Sequence, residues 1–64
     1  MTEPWPTVDE QISCVERELR YREHVYQRRV GEKKMSQALA DREMARMKAV
    51  LATLLMVKGN QRPS

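Results

Sequence analysis

Two apolar series mirror each other across one glycine, and this constrains the fold more than anything else in the chain. Before Gly31 the series is Val8, Ile12, Val15, Leu19 and Tyr26; after it come Ala40, Met44, Met47, Leu51 and Leu54. Steps of three and four residues, and one of seven from Leu19 to Tyr26, place each series on one face of a helix. When the chain folds back near Gly31, one register sets Ile12 against Leu54, Val15 against Leu51, Leu19 against Met47 and Tyr26 against Ala40. That register describes an all-α fold, an antiparallel helical hairpin of two long helices.

The helix boundaries are written in the residues between the stripes. Pro4 and Pro6 flank Trp5, so residues 1–6 read as an extended arm. Thr7 is the expected N-cap: Thr7-Val8-Asp9-Glu10 fits a capping box, in which the hydroxyl accepts from the Glu10 amide and the Glu10 side chain reaches back. The first helix is expected over about 8–29, with Glu16–Arg20 and Glu18–Arg22 as supporting i,i+4 pairs. Gly31 is the expected left-handed residue that ends it. A turn over about 30–36 leads to Ser36, the expected cap of a second helix over about 37–58. Gly59 and Asn60 are expected to stop that helix, leaving 59–64 as a flexible tail.

The hairpin does not use up its apolar surface. Helix 1 carries a weaker second face of Cys14, Tyr21 and Val25. Helix 2 is apolar on nearly every side from Ala49 to Val57, and one neighbouring helix cannot cover it all. Arg22 interrupts the first stripe opposite Met44, where its stem can lie across the methionine or its guanidinium can meet a second chain. A 64-residue chain with one cysteine and no His/Cys cluster has neither a disulfide nor a zinc site to stiffen it. Self-association is therefore expected, as a homodimer forming a four-helix bundle.

No residue pattern points to catalysis, a cofactor or a metal. His24 stands alone among charged neighbours and reads as a solvated group, with no nucleophile in reach. Cys14 reads as a small, half-buried hydrophobe. The two glycines stand far apart, so no phosphate-cradling loop is present. The chain is read as a non-enzyme. Its longest apolar stretch, residues 49–57, falls well short of the roughly 20 residues that span a bilayer. The first ten residues are acidic and lack an apolar run, so no secretory signal is expected. The expected setting is cytoplasmic, without membrane association.

Two sets of residues stand out as contacts. Trp5, Met56 and Val57 are candidate partner contacts. Met44 and Met47 belong to the core stripe, whereas Met56 lies off it. Trp5 is expected either to fold back over the open end of the hairpin near Leu54 and Leu55, or to serve as an anchor for another protein. Arg20, Arg28, Arg29, Lys33 and Lys34 with Tyr21 and Tyr26 are candidate anion or nucleotide contacts, since basic groups beside aromatic rings suit phosphates and bases. A net charge of only +3, with acids interleaved, makes nucleic acid the less favoured partner.

The runs Ile12-Ser13-Cys14-Val15-Glu16-Arg17-Glu18 and Arg22-Glu23-His24-Val25-Tyr26 carry a resemblance. So do Lys34-Met35-Ser36-Gln37-Ala38, Ala40-Asp41-Arg42-Glu43 and Met47-Lys48-Ala49-Val50-Leu51. Over about residues 8–55 the chain resembles small uncharacterised proteins of bacteriophage and prophage genomes in proteobacteria. That resemblance implies a phage accessory protein that binds and modulates a host defence or regulatory protein, inside the bacterial host. It brings no functional residues with it. The alternatives are a helical oligomer that binds nucleic acid or a nucleotide signal, and a structural protein of virion assembly.

Overall fold

The computed structural model describes residues 5–60. It contains α1 (Val8–Gly31) and α2 (Gln37–Asn60), joined by a five-residue connection. The short connection makes the helices antiparallel neighbours, as the mirrored stripes require. An ion pair at the open end reads out the register: Lys58 Nζ lies 2.8 Å from Asp9 Oδ1. This agrees within one residue with the expected pairing of Ile12 and Leu54. The Cα trace is 13 Å deep in its thinnest direction, so the hairpin is a single layer of helices.

Each helix begins on a hydroxyl. Thr7 Oγ1 accepts from the Glu10 amide at 3.1 Å, and Ser36 Oγ accepts from the Leu39 amide at 3.1 Å. Only half of the expected capping box forms: Gln11, not Glu10, reaches back, donating its side-chain amide to the Pro6 carbonyl at 3.0 Å. Asp9 and Glu10 place negative charge at the positive end of the α1 dipole, and Arg28 and Arg29 place positive charge at its other end. Of the two expected i,i+4 pairs, Glu18–Arg22 forms, while Glu16 and Arg20 make no ion pair among the described residues.

The turn corrects the expected role of Gly31. Gly31 stays helical, and the only positive φ among the non-glycine residues described, 60°, belongs to Lys33. The Lys33 amide donates to the Val30 carbonyl at 3.0 Å and the Lys34 amide to the Arg29 carbonyl at 2.8 Å. These two bonds are those of a Schellman motif with Lys33 at its left-handed position. α1 is thus two residues longer than expected, which brings Val30 into the half-buried seam. α2 likewise runs through Gly59 to Asn60 instead of stopping at Lys58. Of the expected tail, residues 61–64 lie outside the described residues, as do residues 1–4 of the arm.

The seam is thin. Among the described residues only Ile12 (7% exposed) and Ala40 (4%) are buried. Val15, Leu19, Tyr26, Met44, Met47, Leu51 and Leu54 follow the expected stripe but are only half-buried. A residue in a single helix–helix seam has cover on one side, and its flanks remain open to water.

Candidate interaction surface

The seam divides the hairpin into two broad sides of different chemistry. On one side Tyr26, Val30, Ala40 and Met44 share a cavity of about 290 Å³ with the polar groups Glu23, Gln27, Gln37, Asp41 and Lys48. Gln37 Nε2 donates to Asp41 Oδ1 at 2.8 Å there. On the other side an apolar groove of about 350 Å³ runs between Cys14 and Val15 of α1 and Val50 and Leu54 of α2, with Pro6, Glu10 and Gln11 at its edge.

Helical spacing extends the grooved side along both elements. At 100° per residue, Tyr21 and Val25 fall on the same strip of α1 as Cys14, and Leu39 and Val57 on the same strip of α2 as Val50. On α1 the strip reads Cys14, Glu18, Tyr21, Val25. On α2 it reads Leu39, Glu43, Arg46, Val50, Thr53, Val57. Both advance by alternating steps of three and four, so each helix carries a second heptad-like stripe beside its seam stripe. Tyr21, Leu39, Val50 and Val57 are exposed large hydrophobic residues. Leu39 is absent from the sequence-derived contact candidates, although its spacing to Val50 and Val57 was the available signal. Cys14, expected to be half-buried, is exposed on this strip.

Arg22 sits where the grooved side meets the seam. Its guanidinium bonds along its own helix. Nη1 donates to Tyr26 Oη at 3.0 Å, and Nε lies 3.6 Å from Glu18 Oε2. The pKa is pushed above its ordinary value, by the Tyr26 hydrogen bond first and by Glu18 after it. Nε is shielded from solvent yet has no hydrogen-bond partner among the described residues, because 3.6 Å is too long for one.

Of the candidate anion contacts, Tyr26, Arg20, Arg28 and Lys34 do not combine into one basic-aromatic site. Tyr26 is turned into the seam and occupied by Arg22. At the tip Glu32 lies 3.0 Å from Lys34 Nζ and 4.0 Å from Arg28 Nε, so one carboxylate offsets two of the expected bases. Arg20 projects from α1 about 100° away from Tyr21, so the two do not share a surface.

Of the candidate partner contacts, Trp5 is 87% exposed, so it does not close over the open end near Leu54 and Leu55. Met56 is 69% exposed and projects away from both sides of the seam. Val57 closes the end of the grooved strip. His24 is exposed, as expected of a solvated group. Among the described residues no cluster of three or more His, Cys, Asp or Glu could hold a metal ion. No helix among them is long and apolar enough to cross a membrane. No protein-family model, curated protein or solved structure matches this chain.

Proposed function

We propose that this chain is a non-catalytic interaction protein of the phage accessory type, which self-associates and modulates a host defence or regulatory protein by binding it. One observation carries the reading: the chain buries two side chains and leaves seven large hydrophobic ones exposed among the described residues. Covering a half-exposed Val, Leu or Met contributes on the order of 1 kcal/mol. The surplus thus offers a driving force for association and no arrangement for chemistry. The pairing of Glu32 with Arg28 and Lys34 argues against the nucleic-acid alternative.

Light scattering across the micromolar range tests the self-association, with a dimer expected; a stable monomer there overturns it. Partner binding is tested by capture from host lysate with the wild type and a Trp5→Ala/Met56→Ala variant side by side. A species retained by the first and lost by the second is expected. Identical recovery by both removes these residues as contacts.

A further inference from the structure

We infer that a second copy of this chain docks on the grooved side of the hairpin, with the two turns at the same end of the resulting four-helix bundle. This rests on the self-association proposed above and names its surface and geometry. The strip is apolar towards both ends, with Cys14 and Val50 near the open end and Val25 and Leu39 near the turn. Its middle is charged: Glu18 and Arg22 on α1, Glu43 and Arg46 on α2.

A two-fold axis along the hairpin lays α1 of each copy over α2 of the other at unchanged height. The intrachain register then fixes the cross-chain one. Asp9 and Lys58 are level, so Arg22 comes within about 3 Å in height of the second copy's Glu43, and Glu18 within about 5 Å of its Arg46. Each intrachain pair, Glu18–Arg22 at 3.6 Å and Glu43–Arg46 at 3.2 Å, then faces the other pair of the second copy with opposite charges opposed, twice in one arrangement. Cys14 falls near the second copy's Val50, and Val25 near its Leu39.

A two-fold axis across the hairpin fares worse. It lays each helix over its own counterpart. Where the axis lets Glu18 meet the second copy's Arg22, Arg46 meets Arg46. The other side of the hairpin offers no equivalent strip: its polar lining of Glu23, Gln27, Gln37, Asp41 and Lys48 would have to be desolvated.

The test joins two measurements on the full chain. In sedimentation, Val50→Glu on the grooved side is expected to weaken the dimer roughly thirtyfold or more, while Leu55→Glu on the other side leaves it within about threefold. Mixed unlabelled and nitrogen-15 wild-type protein is then joined with a short lysine-reactive cross-linker. Mixed-isotope links between Lys33 or Lys34 and the same lysines of the second copy are expected. A dimer broken by Leu55→Glu and not by Val50→Glu overturns the surface, and links from the tip lysines to the second copy's Lys58 overturn the geometry. Either result leaves self-association itself standing. A wild type that stays monomeric overturns both readings together. Should Val50→Glu also lose helicity, the wild-type cross-links still decide.

Discussion

α1 and α2 have equal length, yet they reach the folded state by different routes. α1 is set locally: a hydroxyl cap, two acids in its first turn, two arginines in its last, an internal Glu18–Arg22–Tyr26 clasp and one dominant apolar stripe with a weaker second one beside it. α2 has a hydroxyl cap but no acid in its first turn, and its C-terminal half is apolar on several sides. A helix with one stripe is specified by a single neighbour. A helix with more stripes is under-specified by that neighbour and calls for another. The asymmetry leaves most of the exposed large hydrophobic residues on α2.

The sharpest way to break this comparison is to remove a seam side chain and an outer one in parallel. Ile12→Ala takes away the best-buried large residue of the seam, and a cost of about 2–4 kcal/mol is expected. A chain with so small a core cannot absorb that, so far-ultraviolet circular dichroism should show most of the helix lost at room temperature. Leu55→Ala is expected to change the stability by less than about 0.5 kcal/mol. Equal effects would mean that the seam does not organise the hairpin.

The two hydroxyl caps compare the helices at their starts. Thr7→Ala and Ser36→Ala are each expected to cost about 1 kcal/mol in thermal or urea unfolding. α2 should be the more sensitive of the two, because no carboxylate in its first turn shares the load. The converse change, Ala38→Glu, supplies that charge and is expected to gain a few tenths of a kcal/mol, fading as salt is raised. A larger loss from Thr7→Ala than from Ser36→Ala would show that the acids of α1 do not back up its cap.

Helix existence, both caps and the seam register were legible in the sequence because they depend on local chemistry and on periodicity. Residues such as Ile12, Leu19 and Leu51 declare a face whatever the tertiary context. What was not legible depended on competition between sites. Gly31 tolerates a left-handed conformation, but the chain reverses two residues later, where the two added helical residues bring Val30 into the seam. Local preference favoured the glycine, and packing placed the cap on Lys33. Trp5 offered two destinations, and no periodic signal chose between them. The second stripe of α2 was only half legible, because Glu43 and Arg46 interrupt an apolar series that Leu39 begins and Val50 resumes.

The turn offers a direct measure of that competition. Lys33 holds a φ of 60°, which a side chain resists, whereas Gly31 stands in a helix where an added Cβ meets nothing within 4 Å. Exchanging the two preferences should help at both places. Lys33→Gly and Gly31→Ala are each expected to raise stability by about 0.5–1 kcal/mol. The sites share one Schellman motif, so the double variant is compared with both singles to see whether the gains add. A loss from Gly31→Ala would mean that Gly31 leaves the helical conformation in solution.

The smallest expected effect lies at the opposite end, where Asp9 of α1 meets Lys58 of α2 at 2.8 Å. Both side chains are more than half exposed, so solvent screens the pair and the entropy of two long side chains opposes it. A double-mutant cycle through Asp9→Asn and Lys58→Met, read by urea unfolding, is expected to give a coupling below about 0.5 kcal/mol that vanishes as salt is raised. The result bears on how the two helices divide the work. A small coupling means that apolar pairs such as Ile12 and Leu54 set the register and the ion pair merely reports it. A coupling well above 1 kcal/mol that persists in salt would mean that the open end is closed and water-excluded. Such closure is what a second copy seated on Val50 and Val57 would produce, so this small term would then measure the dimer rather than the hairpin.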